Sequence, residues 1–139
     1  MMKKIAIFVL LIGIILTFQA CKPDNTSSEF DFINGFNLFE VGDGYDNSKY
    51  VELSAEQQIR LKEILDTDNW KRLTDVLVTG FSTALILKNE SNDYIYFNSY
   101  NDEALILIKF LDKPDETIIY SANIDLINKL TLFQEDLIK

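Results

Sequence analysis

The chain has 139 residues, with 22 acidic and 13 basic side chains, one cysteine, no histidine and a formal net charge of −9. That length holds one domain with its own core rather than two, and so acidic a chain lacks the basic footprint that nucleic acid requires. Without histidine there is no serine–histidine triad, no imidazole metal ligand and no imidazole general base; one cysteine leaves no intrachain disulfide and no cysteine zinc site.

The first segment is Lys3 and Lys4, then fourteen apolar or near-neutral residues over 5–18, then Gln19, Ala20 and Cys21. A basic start, an apolar stretch of about 7–15 residues and a small residue before the cut define a secretory signal. A membrane-spanning helix takes about 18–20 apolar residues, and the polar run Lys22-Pro23-Asp24-Asn25 follows too soon for one. An ordinary cleaved secretion signal is the nearer competitor. Against it, the sole cysteine stands directly after Ala20, and Leu16-Thr17-Phe18-Gln19-Ala20-Cys21 resembles the lipobox of bacterial lipoprotein signal peptides. The resemblance implies removal of residues 1–20, a diacylglyceryl group on the Cys21 thiol and often an acylated new amino terminus. Two or more chains, at about 0.8 kcal/mol per buried methylene, make a stable anchor where one would not. It also implies a membrane-held domain outside the cytoplasm, on the cell membrane or outer membrane; Lys22, in place of an aspartate after the cysteine, leans toward the outer membrane.

Cleavage would leave 119 residues with eleven basic against 22 acidic side chains, a net charge of −11. Such acidity keeps a domain soluble and off anionic lipid; it also suits a basic protein partner, steered in by the same field. Residues 21–29 read as the lipidated cysteine and a polar tether, with a reach of about 25–30 Å. A single domain then occupies 30–139.

Within it, dense apolar residues from Phe30 suggest an irregular entry and a short strand over 36–41, then a loop over 41–48 and a second strand over 49–53. Ser54 and Gln57 have the spacing of a capping box. The helix it starts, over 55–65, turns Ile59, Leu61, Ile64 and Leu65 toward a core. Trp70, beside the helix end, reads as a core wedge. Strand-like runs follow at 76–79, 81–88, 94–99, 104–110 and 117–121. The short turns between most of them suit antiparallel hairpins. Leu126, Leu130, Phe133 and Leu137 recur at helical spacing in a closing helix over 124–138, with Asn123 as its cap. The expected class is α+β: a short N-terminal β segment, one helix, an antiparallel meander of about four strands and a C-terminal helix. In layout alone this resembles the small domains of other bacterial envelope lipoproteins, and no functional residue follows from that.

Candidate chemistry is sparse. Asp43, Asp46 and Asn47 offer oxygen ligands for calcium, but Tyr45 stands where an EF-hand loop places its second ligand and Ser54 where it places glutamate. A solvated turn explains the loop, and 66–69 likewise; no metal and no cofactor is expected. Tyr94, Tyr96, Tyr100 and Tyr120 are the candidate interaction face, since tyrosine gives rigid amphipathic contact area, although tyrosines are also ordinary strand residues. No phosphate loop, nucleophile elbow or zinc motif occurs after residue 21. The expected function is a non-enzymatic, lipid-anchored envelope binding module. The alternatives are an acidic inhibitor or immunity-type lipoprotein against a cationic enzyme or toxin, and thirdly a glycan- or cell-wall-acting enzyme using carboxylates.

Overall fold

Along residues 94–100 side chains point alternately to opposite faces, and on one of them Ile95 and Phe97 are fully shielded from solvent. That alternation is the period of a strand with one dry face. Residues 103–109 go further and bury Ala104 through Ile108 on both faces. These runs lie inside a seven-stranded antiparallel sheet in a computed structural model that describes residues 29–41, 49–76 and 85–139. Its elements are β1 (Phe36–Val41), β2 (Lys49–Glu52), α1 (Ala55–Leu65), β3 (Lys71–Leu73), β4 (Leu85–Asn89), β5 (Tyr94–Tyr100), β6 (Glu103–Lys109), β7 (Thr117–Asn123) and α2 (Asp125–Ile138), with 3-10 turns at Asp31–Gly35 and Thr67–Asn69. The strand order is β2-β1-β4-β5-β6-β7-β3.

Both helices pack on one face of the sheet. Phe39, Leu87, Ile95, Phe97, Ile106 and Ile108 form that face and share a core with Leu61 and Leu65 of α1 and Leu126, Leu130 and Phe133 of α2. The Phe39 and Phe133 rings meet edge to face at 5.5 Å. Each such side chain contributes about 1.5–3 kcal/mol by leaving water. Gln134 Nε2 donates to the Glu40 carbonyl at 2.7 Å, tying α2 to β1. Arg60 lays its guanidinium 5.5 Å from the Phe133 ring centre and pairs with Asp136 at 2.8 Å, joining the helices at their solvent side.

Local chemistry sets the element ends. Ser54 Oγ accepts from Gln57 N at 3.3 Å and Gln57 Oε1 accepts from Ser54 N at 2.8 Å, so the capping box is complete. Asn123 Oδ1 accepts from Asp125 N at 2.9 Å, while Ile124 holds the N-cap position itself. Asn101 and Asp102, at φ 49° and 63°, form a two-residue link between β5 and β6. Their left-handed backbone matches the twist of the strands they join.

The α+β class holds, with a richer sheet than the expected N-terminal segment and four-strand meander. β4 to β7 are the meander, and β1 and β2 extend it on one side as a hairpin paired through β1 to β4. β3 closes the other side against β7. Periodicity does not announce β3, because it is three residues long and two of them, Lys71 and Arg72, are exposed. Of the strand expected over 76–79, Val76 is exposed coil and 77–79 lie outside the described residues, as do 81–84 ahead of β4.

Ile59 is a correction. It is 61% exposed, not in the core. At about 100° per residue it points some 160° away from Leu61, whereas Ile64 and Leu65 fall on the Leu61 side.

Trp70 fills the corner where α1 meets the β3–β7 edge. It is buried, its Nε1 donates to the Leu65 carbonyl at 2.7 Å, and its ring lies 5.5 Å from Phe30 and 5.7 Å from Tyr120. Trp70→Ala should therefore lower unfolding free energy by about 3–5 kcal/mol in a denaturant titration. Trp70→Phe should lose only about 1–2 kcal/mol, chiefly the hydrogen bond, and Ile59→Gln should stay within about 0.5 kcal/mol of the parent.

Candidate functional site

The face of the sheet turned away from the helices carries a patterned group of side chains. Antiparallel register sets Tyr94 of β5 directly between Lys88 of β4 and Lys109 of β6. One step along, Tyr96 lies between Ile86 and Leu107. At the neighbouring hairpin, Tyr50 of β2 stands opposite Glu40 of β1. Residues two apart share a face and directly opposed ones approach within about 5.5 Å, so the pairing alone brings these side chains together.

The turn between β4 and β5 fixes this register. Asp93 N donates to Asn89 Oδ1 and Asn89 Nδ2 to Asp93 Oδ2, each at 2.8 Å. The second Asp93 oxygen accepts from Leu111 N at 2.8 Å, holding the end of β6 to the same turn. One carboxylate thus locks two strand ends, and with them the row Lys88–Tyr94–Lys109.

Within the group, the Tyr94 and Tyr96 rings stack at 5.8 Å with 23° between their planes. Lys88 Nζ sits over two rings at once, 5.3 Å from the Tyr50 centre and 5.7 Å from that of Tyr94. Lys109 Nζ lies 5.8 Å from the Tyr96 centre. Such contacts are worth about 0.5–1 kcal/mol each when solvent reaches them. Glu40, directly opposite Tyr50, is buried. Burial, then the negative charge of Glu40, pushes the Tyr50 hydroxyl up to about 12. Tyr96 is raised as well, by burial first, then by Tyr94 and Glu40. Both phenols stay protonated across the physiological range.

Of the four tyrosines expected on one face, Tyr94 and Tyr96 meet there. Tyr100 shares the face but lies at the far end of β5, opposite Glu103 and 62% exposed, about 14 Å along the strand from Tyr96. Tyr120 does not share it. Its partner across β6 is Ile106, so it turns into the helix-covered core, where its hydroxyl donates to Glu29 Oε1 at 2.9 Å. Sequence reasoning missed Tyr50, Glu40, Lys88 and Lys109. Hairpin counting around residues 89–93 was the available signal for Lys88 opposite Tyr94; nothing local marks Tyr50.

A second feature is a cleft of about 590 Å³ where the C-terminal end of α1, β3, the β5–β6 turn and the start of α2 converge. Leu65, Trp70 and Leu126 form its apolar wall, with Asp66, Asp102, Glu103 and Asp125 around it, alongside Lys71 and Lys129. All six charged residues are exposed. Asp66 Oδ2 accepts from Asn69 Nδ2 at 2.6 Å, within the 66–69 turn itself. The arrangement supplies surface charge rather than a desolvated acid–base pair. Among the described residues no three Asp, Glu, Cys or His side chains gather as a metal site, and Asp43, Asp46 and Asn47 lie outside those residues.

Comparison with protein families, curated proteins and solved structures finds no match for this chain.

The hydroxyl of Tyr120 is also pushed up to about 12, by burial first and then by its bond to Glu29 and that residue's charge, with Arg72 opposing. A phenol whose folded pKa lies above its unfolded value near 10 stabilises the fold fully below pH 10 and loses that contribution between pH 10 and 12. Ultraviolet titration should show tyrosines ionising late, together with alkaline unfolding over that window. Tyr120→Phe should remove one late-titrating group and flatten the pH dependence there.

Proposed function

We propose that the chain is a lipid-anchored protein of the bacterial cell envelope, held through Cys21, whose domain is a non-enzymatic binding module. The order of Lys3, Lys4, the apolar run, Ala20 and Cys21 supports the anchor. Its place is the cell membrane or outer membrane, with the domain outside the cytoplasm. One observation carries the binding role: Lys88, Tyr94, Lys109, Tyr96 and Tyr50 form a group of donors and rings on the sheet face opposite the helices. Side chains there owe nothing to the core that Leu130 and Phe133 complete from the other side.

A second reading, an acidic inhibitor or immunity-type lipoprotein facing a cationic enzyme or toxin, is favoured by the four carboxylates of the cleft and by the −11 charge of residues 21–139. It requires capture of the target to slow steeply as salt rises, and a salt-independent on-rate would remove it.

Cys21→Ser should abolish labelling by an alkyne fatty acid and shift the protein out of the membrane fraction; labelling that persists would overturn the anchor. For the face, a photo-crosslinker at Tyr100 should join the wild-type protein to envelope material. Tyr94→Ala with Tyr96→Ala should suppress that product by about tenfold while circular dichroism stays unchanged.

A further inference from the structure

β6 is dry on both faces, and only one of them meets the helices. Ala104, Ile106 and Ile108 join the helix-side core, whereas Leu105 and Leu107 point the other way and are still only 5% and 4% exposed. Ser121 of β7, opposite Leu105, is buried on that outer face as well. The outer face of an antiparallel sheet stays polar and wet unless something lies on it. Both helices lie on the other side.

Chain connectivity supplies a cover. β3 ends at Leu73 on one edge of the sheet, and β4 begins at Leu85 with β7, β6 and β5 between them. Four strand spacings put the two about 19 Å apart. The chain from Leu73 to Leu85 reaches about 40 Å at most. A path outside α1 and α2 adds their thickness of about 10–12 Å going up and again coming down, which leaves no chain for the turns. A path across the outer face needs little more than the direct span.

Handedness gives the same answer. Antiparallel pairing at each step of the order makes β3 and β4 parallel to each other. The connection between parallel strands of one sheet is right-handed in about 98% of cases. The two-residue turn at Asn101 and Asp102 makes Tyr100 and Glu103 a hydrogen-bonded pair. For L-residues, that places β6 to the right of β5 when the outer face is viewed with β5 running up. From the same side with β3 running up, β4 lies to its right. A connection in front of the sheet is then right-handed, and one behind it, on the helix side, left-handed.

We propose that residues 77–84 dock across the outer face of β5, β6 and β7 and keep Leu105 and Leu107 from water. Their sequence, Leu-Val-Thr-Gly-Phe-Ser-Thr-Ala, has three large apolar side chains and no charge, a composition suited to a buried layer. Of the other segments outside the described residues, 42–48 starts and ends on the β1–β2 hairpin, and the chain before Glu29 joins on the helix side. A second copy of the chain is the remaining occupant, and the test separates it. The inference stands apart from the binding-module reading. It leaves the face open on its β2–β1–β4 side, where Tyr50 and Lys88 stand.

The test places a benzoylphenylalanine photo-crosslinker at position 81 of the full chain and maps the product by mass spectrometry. Irradiation should give an intrachain link to β5, β6 or β7. A link to α1 or α2 would overturn the proposal, and so would a dimer-sized product. In parallel, hydroxyl-radical footprinting compares the wild-type chain with one carrying Leu77→Ser, Val78→Ser and Phe81→Ser together. Oxidation of Leu105 and Leu107 should rise about five- to tenfold, while that of Phe39 and Leu130 on the helix side stays unchanged. Leu105 and Leu107 as well protected in the triple variant as in the wild type would overturn the proposal. If Phe39 and Leu130 become exposed too, the crosslink decides, and its absence from those three strands overturns the proposal.

Discussion

Burial on the helix side of β5 constrains everything on its other side. Ile95 and Phe97 are fully buried against the helices, and a slip of one residue in β5 would turn both into solvent and bring Tyr94 and Tyr96 into the core. The cost, two large apolar side chains exposed and two phenols buried without partners, runs to several kcal/mol. The positions of the outer-face side chains are therefore set by residues they never touch. The Asn89–Asp93 turn adds a second lock where β4 and β5 meet. Lys88 and Lys109 face each other across Tyr94 because the dry side permits no other register.

Much of this could be read in order along the chain. The Ser54–Gln57 box, the helical spacing of Leu126, Leu130, Phe133 and Leu137, the alternation along β5 and the unbroken apolar run of β6 each carry a local signal, because burial of one face writes a period into the sequence and burial of both writes a run. β3 carries none. Its three residues are an edge strand whose exposed Lys71 and Arg72 look like any charged turn, and only its pairing with Tyr120 and its neighbours makes it a strand. Ile59 misleads in the opposite sense: an apolar residue within a helical run is not a core residue unless it lies on the stripe that Leu61 and Leu65 define. The candidate site divides in the same way. Tyr94 and Tyr96 share a face by parity, and Lys88 joins them by counting across a hairpin. Tyr50 and Glu40 arrive from a hairpin more than thirty residues earlier, through the β1–β4 pairing, which no window of sequence contains. Tyr120 was separated from the other tyrosines by its register against β6, a non-local fact as well.

Charge is distributed against its own average. A chain with 22 acidic residues concentrates two lysines among three tyrosines and ties one of those lysines to two rings. Four acidic residues surround the cleft at another end of the sheet, and two more, Glu40 and Glu52, share the face of the lysines. One long-range field thus contains two short-range patches of unlike character, and a ligand approaching each meets different physics. At the cleft, the overall field and the local one agree. At the tyrosine–lysine face Lys88 and Lys109 stand beside Glu40 and Glu52, so contact there depends on individual groups close at hand rather than on steering from a distance.

The bond from Tyr120 to Glu29 has a mechanical meaning. It fixes the first described residue to β7, beside the β3 edge, on the helix-covered side, with Arg72 3.8 Å from the same carboxylate. The row centred on Tyr94 lies two strands away in the sheet order and on the opposite side. The contact thus joins the start of the described chain to the helix-covered side of the sheet, and leaves the row centred on Tyr94 clear of it on the other.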